Sequence, residues 1–195
     1  MEKLIDISSA PINAFLNMLL EDKTTEKNII WATDTYMDIS FGFADVDSME
    51  KDNILNYPDI IKPRIQKTRE EQAARTRKKA EVFTPTWLCN MMNNVCDKEW
   101  FGRENVFNTE KYENSKHSWK VTEDKIEFPQ DKSKTRQKYV DSRRLEITCD
   151  EAPYLVSRYD VSTGDKIPIK DRIGQLDRKL RIVNENTDNY DDWVK

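Results

Sequence analysis

The chain has 195 residues, a formal net charge of −4 at pH 7, 35% charged residues and 37% hydrophobic residues. Its five Trp, seven Tyr and seven Phe exclude an intrinsically disordered chain, because aromatic side chains supply the burial that disordered segments lack. Four glycines exclude a glycine-rich phosphate loop, and a single histidine excludes a histidine-rich metal centre.

Cysteine usage and hydropathy predict a cytoplasmic, soluble protein. The cysteines Cys89, Cys96 and Cys149 are odd in number and lack pair spacing, which disfavours a disulfide framework and favours a reducing compartment. No apolar run approaches the roughly 18 residues that a membrane span needs, so we expect no membrane partner. We also expect no bound metal.

Residues 1–62 are predicted to form a small lobe of helix and strand. Apolar residues recur at helical spacing at Ile12, Phe15, Leu16 and Leu19, which predicts an amphipathic helix over residues 11–22. The run 28–36 is rich in β-branched and aromatic residues and predicts a buried strand. Residues 40–60 are typical of a loop and a short helix that Pro58 ends.

Residues 63–80 form a basic segment, with seven Lys or Arg against two Glu. Helix-forming residues follow Pro63, which predicts a helix with little apolar surface to bury. Such a helix faces either solvent or a partner. In the second interpretation the cations Arg75, Arg77, Lys78 and Lys79 contact DNA phosphates.

The middle of the chain predicts a second helix and a hairpin. Thr84 precedes Pro85, which disfavours the α conformation and ends the basic helix. Apolar spacing predicts a helix over residues 86–96, on which Cys89 and Cys96 share one side and belong to the core. Residues 102–117, which include the single histidine, are predicted to be loop, and residues 118–129 a hairpin.

The segment "LEITCDEAPYLVSRYD" (145–160) predicts a place to hold a ligand. Residues 145–148 resemble a strand, residues 149–152 a tight loop, and Pro153 the first turn of a helix. A turn and an amphipathic helix over residues 171–186 follow.

Two motifs in this order resemble the γ-class N6-adenine DNA methyltransferases of restriction–modification systems. One is "AEVFTP" (80–85) before an apolar helix; the other, roughly 60 residues later, is "LEITCDEAPYL" (145–155). In that class a Phe/Tyr-Thr-Pro motif touches S-adenosylmethionine, and a strand Leu-(Asp/Glu)-Pro-x-Cys-Gly-x-Gly begins the nucleotide-binding loop. The similarity, to proteins labelled restriction endonuclease subunit M, covers roughly residues 63–186.

The resemblance implies a mixed α/β (α+β) fold, with the lobe 1–62 leading into residues 63–195, the incomplete start of a Rossmann-like methyltransferase domain. It also implies an S-adenosylmethionine site. The cofactor-binding residues implied are Phe83, Thr84, Pro85, Glu146, Cys149 and Asp150. A carboxylate at position 146 is expected to attract the ligand ammonium in a partly dry cleft.

The sequence departs from the family in its loop. Asp150 and Ala152 stand where the family has glycines. Glycine there permits positive φ, and a β-carbon costs on the order of 1–2 kcal/mol in that conformation. Asp tolerates left-handed conformations better than most residues do.

The catalytic motif of the family is missing as well. The (Asn/Asp)-Pro-Pro-(Tyr/Phe) tetrapeptide holds the flipped adenine, and this sequence contains no Pro-Pro pair. We therefore assign no catalytic residue and expect no methyl transfer to DNA by the chain alone. No target-recognition domain follows Lys195, so the chain is expected to be truncated or completed by a missing C-terminal half or another restriction–modification subunit.

Three alternatives stand beside this hypothesis. In the structural one, residues 83–85 are a helix-capping loop, Glu146 lies on an exposed strand face, and Cys149 fills space. In the second, the chain is a non-enzymatic DNA-binding or protein-interaction module that uses residues 63–80. The third is a magnesium nuclease with Glu123 and Lys125, and either Asp59 or Asp97 as the remaining carboxylate.

Overall fold

The computed structural model describes residues 6–79, 82–147 and 151–194, without the side chains at positions 78 and 79. It combines helices with small antiparallel sheets, so the fold is α+β. The chain divides into two compact units, Met1–Lys67 and Thr68–Lys195.

The first unit contains helix α1 (Ala10–Leu20), the two-residue strands β1 (Glu21–Asp22) and β2 (Lys27–Asn28), and helix α2 (Lys51–Asn56). The helix predicted over residues 11–22 is confirmed, with Leu16 and Leu20 buried. The core of this unit consists of Ile7, Leu16, Leu20, Trp31, Phe43, Ile54 and Ile60.

The buried strand predicted over residues 28–36 is wrong. Ile30 makes only a single bridge with Ser48, and Asp34–Tyr36 is a 3-10 turn. The side chain of Thr33 accepts a hydrogen bond from the backbone N–H of Thr35 and so starts this turn. Local hydroxyl-to-backbone bonding of this kind competes with strand pairing.

The second unit begins with helix α3 (Arg69–Lys79), later than the sequence predicts. Thr68 and Glu71 form a reciprocal capping box: the backbone N–H of Thr68 donates to Glu71 Oε2 at 2.6 Å, and that of Glu71 donates to Thr68 Oγ1 at 3.2 Å. No side chain of residues 69–77 is buried. The expectation that this helix has little to bury is confirmed.

Helix α4 (Thr86–Phe101) confirms the helix predicted after Pro85, and it ends at Gly102 in the left-handed conformation, φ 71°. The prediction for its cysteines is wrong in part. Cys89 is buried, but Cys96 is exposed. Side chains seven residues apart differ in direction by only about 20°, so helix geometry does not separate the two cysteines. The buried stripe of α4 continues instead through Asn93 and Asp97, which leaves Cys96 outside it.

The hairpin of this unit lies about ten residues before its predicted position. Strands β3 (Asn108–Glu113) and β4 (Lys116–Val121) pair in register from Asn108↔Val121 to Glu113↔Lys116. The loop residues Asn114 and Ser115 both have positive φ, which matches the twist of a two-residue hairpin turn. The loop predicted over 102–117 and the hairpin predicted over 118–129 are therefore wrong.

Helices α5 (Arg136–Asp141), α6 (Gln175–Asn186) and α7 (Tyr190–Val194) complete the unit. The amphipathic helix predicted over 171–186 is confirmed as α6. It starts at Gln175 because the Asp177 carboxylate accepts from the backbone N–H of Gly174 at 3.1 Å. The apolar core of this unit is Phe101, Val106, Phe107, Ile126, Tyr139 and Ile182.

The strand and helix predicted between 145 and 160 are both wrong within the described residues. Residues 145–147 pair with no strand, and the chain from Pro153 makes one turn rather than a helix. The Ala152 carbonyl accepts from the backbone N–H groups of Leu155 and Val156. The Ser157 hydroxyl then donates to Asp177 and accepts from Ile173, which fixes the chain against the start of α6 instead.

Candidate functional site

A cleft of about 760 Å³ lies beside α4 in the second unit, and we call it the α4 cleft. Its walls are Met92, Asn93, Val95 and Cys96 of α4, residues 143–147, Tyr154 and Leu155, together with Thr84 and Gln175. Five separate stretches of the chain thus meet at one concave surface.

The α4 cleft brings together two of the residues that the resemblance implied. Thr84 and Glu146 both line it, although they are 62 positions apart in sequence. Phe83 and Pro85 are half-buried and do not line it; Pro85 is instead the N-cap residue of α4. Cys149 and Asp150 lie outside the described residues.

The Glu146 carboxylate shapes the loop that follows it. Its two oxygens accept from the backbone N–H groups of Tyr154 at 3.4 Å and Leu155 at 3.1 Å. A carboxylate that bonds two backbone donors holds their turn in one conformation. Glu146 therefore positions one wall of the cleft as well as lining it.

A buried thiol lies behind Thr84, and a phenol lines the cleft. Burial raises the pKa of the Cys89 thiol to about 12, and the nearby Glu146 carboxylate adds to this shift. The Cys89 thiol donates to the Thr84 carbonyl at 3.7 Å. Because the thiol stays protonated at neutral pH, Cys89 is a packing group and not a nucleophile.

The phenol belongs to Tyr154. Burial raises its pKa above the ordinary value, with Cys89 as the next contribution. Its hydroxyl donates to the Met92 sulfur at 3.0 Å, which ties the 154–155 turn to α4.

Two buried amides form the inner wall, and sequence analysis missed both. Asn93 and Gln175 are 4% and 5% exposed. Asn93 Nδ2 donates to the Tyr154 carbonyl at 3.0 Å, and Gln175 Nε2 donates to Asn93 Oδ1 at 2.9 Å. Asn93 lies on the buried polar face of α4 with Asn90 and Asp97, off the apolar pattern, and Gln175 opens a helix. Neither residue therefore carries a motif or another local signal.

Gly174 allows this inner wall to form. A β-carbon at this position would lie 2.5 Å from the Leu155 carbonyl oxygen, closer than real β-carbons come. Glycine therefore lets α6 start directly against the 154–155 turn. The Gln175 side chain reaches the cleft because of that close approach.

The remaining walls of the cleft are charged on one side and apolar on the other. Arg143 and Arg144 lie beside Glu146 in the wall 143–147. Leu145 and Ile147 alternate with them and are 84% and 76% exposed, as expected of an extended segment without a neighbouring strand. The cleft thus offers both charge signs and an apolar surface.

Ala152 has a backbone conformation that L-residues rarely adopt. Its φ is 50°, in the left-handed region that favours glycine. The strain of this conformation falls on the loop between Glu146 and the 154–155 turn.

A buried ion pair next to the cleft excludes the nuclease hypothesis in its Asp97 form. Asp97 is 1% exposed, forms an ion pair with Arg178, and accepts from the Tyr139 hydroxyl at 2.7 Å. Because Arg178 neutralises this carboxylate and almost none of it is exposed, Asp97 is not open to a hydrated metal ion. The described residues contain no cluster of three or more His, Cys, Asp or Glu that suits a metal.

The cations of the basic helix α3 differ in how exposed their side chains are. Arg77 is exposed, Arg75 is half-buried, and the side chains of Lys78 and Lys79 lie outside what the structure describes. The DNA-contact hypothesis therefore has one exposed cation among the described members of its set.

The comparisons with known proteins add no relative. No family model, no curated protein and no solved structure matches the chain. Across the described ranges no helix combines the length and apolarity that crossing a membrane requires.

Proposed function

We propose that the α4 cleft binds S-adenosylmethionine, and that the chain is part of a DNA adenine-N6 methyltransferase of a restriction–modification system. The observation that supports this proposal is the meeting of Thr84 and Glu146 in one cleft. These residues belong to the two motifs that resemble the methyltransferases. Because residues 145–147 pair with no strand among the described residues, a Rossmann-like sheet that included them would need strands from another polypeptide segment.

The dimensions and charges of the cleft suit this ligand. Its volume of about 760 Å³ lies within the range of roughly 300–1,000 Å³ that small-molecule sites occupy. The methionine end of the ligand is a zwitterion, so its ammonium would face Glu146 and its carboxylate Arg143 or Arg144. The apolar wall suits the nucleoside.

The chain's own contribution to methylation is to bind and orient. The cofactor, when bound, supplies an activated methyl group. Glu146 holds the 154–155 turn, and Thr84 and the buried amides give the cleft its polar contacts. The sequence contains no Pro-Pro pair, so the groups that hold the target adenine would come from another polypeptide segment.

Isothermal titration calorimetry with S-adenosylmethionine tests the proposal. We expect Glu146→Ala to weaken binding about tenfold or more, because it removes the charge opposite the ammonium and releases the turn. Glu104→Ala is the matched control, since this exposed carboxylate pairs with Lys98 away from the cleft. Circular dichroism confirms that both variants fold.

The absence of heat with the unaltered chain, or equal binding by Glu146→Ala and the unaltered chain, would refute the proposed site. A filter-binding assay with labelled cofactor addresses catalysis separately. We expect no transfer of label to DNA by the chain alone, and appreciable transfer contradicts the expectation.

A non-enzymatic DNA-binding module is the second candidate function. The absence of fully buried side chains on residues 69–77 of α3 favours it, because a helix with an exposed face is available to a partner. In this case the cations Arg75, Arg77, Lys78 and Lys79 would neutralise phosphates, and the chain would bind duplex DNA without the cofactor.

A further inference from the structure

We propose that Gln175 is the specificity residue of the α4 cleft, and that its Oε1 accepts a hydrogen bond from a neutral donor on the bound nucleoside. The donor is either the exocyclic amino group of the purine or a ribose hydroxyl. This inference rests on the proposed function, because it concerns the ligand of the same cleft.

The orientation of both amides follows from one backbone carbonyl. The Tyr154 carbonyl oxygen can only accept, so Asn93 must turn its Nδ2 toward it, at 3.0 Å. Asn93 then presents Oδ1 to Gln175, which must answer with Nε2, at 2.9 Å. Reversing either amide would set two oxygens against each other.

This orientation leaves the Gln175 oxygen as an acceptor. Within the described part of the chain, Oε1 is buried and has no hydrogen-bond partner, while the side chain lines the α4 cleft. A buried acceptor without a partner costs free energy, and native structures satisfy nearly all such groups. A ligand N–H or O–H supplies the partner.

The acceptor is also rigid and neutral. Gln175 is 5% exposed, and its backbone N–H donates to the Tyr154 carbonyl at 2.8 Å, so its main chain and side chain are held by the same turn. A fixed acceptor discriminates against ligands that place an oxygen or nothing opposite it. The ammonium and carboxylate of the ligand would bind Glu146 and Arg143 instead.

A ligand series on the unaltered chain tests the inference without any substitution. S-Adenosylhomocysteine is compared by calorimetry with S-inosylhomocysteine, which replaces the amino group by an oxygen, and with the 2′-deoxy and 3′-deoxy analogues. We expect one of these changes to weaken binding about tenfold or more. The analogue that loses affinity identifies the donor.

The variant Gln175→Met then links the effect to the residue. We expect the discrimination between S-adenosylhomocysteine and the weakened analogue to disappear, because methionine fills the same space with a thioether sulfur, a much weaker acceptor than an amide oxygen. A purely structural role would weaken both ligands equally and leave their ratio unchanged. Gln137→Met, at an exposed position on α5, is the matched control.

The outcomes separate the two proposals. Equal binding of all analogues by the unaltered chain, or a ratio that survives in Gln175→Met, overturns this inference while Glu146-dependent binding upholds the site. No binding of S-adenosylhomocysteine or S-adenosylmethionine by the unaltered chain overturns both.

Discussion

Ala152 has a left-handed backbone conformation that glycine would adopt at lower cost. An L-residue in the left-handed region costs about 1–2 kcal/mol, and glycine loses about 0.5–1 kcal/mol more conformational entropy on folding. With φ at 50°, we expect Ala152→Gly to stabilise the protein by about 0.5–1 kcal/mol, the opposite of the usual effect. Urea unfolding followed by circular dichroism measures the difference.

Ala73→Gly is the matched control for that substitution. Ala73 lies exposed on α3, where the backbone is helical, so glycine should destabilise by about 1 kcal/mol there. If both substitutions destabilise, the left-handed conformation at Ala152 is refuted.

At the same scale, the sequence indicates only residues that stand in a short motif. Thr84 and Glu146 stand in two such motifs and both line the α4 cleft, while their role in binding a cofactor stays a prediction. Asn93 and Gln175 could not be predicted, because the Asn93 amide donates to the Tyr154 carbonyl 61 positions away and accepts from the Gln175 amide 82 positions away. Nothing local in either segment specifies that meeting.

At the scale of elements, a buried charge pair joins α4 to α6. Arg178 is 2% exposed, forms its ion pair with Asp97, and donates to Asn90 Oδ1 at 2.8 Å and the Ile173 carbonyl at 2.8 Å. Such pairs offset a large desolvation cost only while both partners are present. The polar face of α4 is thus part of the core, with Asn90, Asn93 and Asp97 all buried.

Removing one partner of this pair should therefore destabilise the protein strongly. We expect Arg178→Met to destabilise the protein by about 3–5 kcal/mol, because it leaves the Asp97 carboxylate buried without a countercharge. The double variant Asp97→Leu with Arg178→Met should cost less than Arg178→Met alone. Thermal and urea unfolding measure both.

Lys98→Met serves as the control on the same helix. Lys98 pairs with Glu104 in solvent, so its loss should change stability far less than the loss of Arg178 does. An Arg178→Met variant as stable as Lys98→Met would show that the pair is not buried.

The elements themselves differed in how far sequence predicts them. Helices α4 and α6 have apolar periodicity and a clear start, Pro85 for α4 and Gly174 with Asp177 for α6. The β3–β4 hairpin has largely exposed, polar strands and an Asn-Ser turn, so neither hydrophobic alternation nor an Asn-Gly signal marks it. The segment 145–147 has strand-like residues but pairs with no strand, and pairing is what makes a strand.

At the scale of the whole molecule, charge decides how DNA would be bound. The chain carries a net charge of −4, while residues 63–80 carry seven cations against two Glu. The overall charge repels DNA and only a local basic segment attracts it. Binding through α3 would therefore be confined to a few phosphates and sensitive to salt.

If α3 contacts DNA through Arg75, Arg77, Lys78 and Lys79, at most four phosphates are neutralised, and the logarithm of the affinity should fall with the logarithm of salt concentration with a slope of about −3.6. Replacing the four cations by Gln should abolish the slope together with the binding, because the rest of the chain is acidic. Fluorescence anisotropy with a labelled duplex at several salt concentrations measures both.

The matched control replaces Lys116, Lys125, Lys132 and Lys138, which are exposed in the same unit, so that it changes the net charge equally. Equal losses in the two variants would mean that net charge alone governs the contact, and a slope retained after the α3 replacements would assign it to another surface.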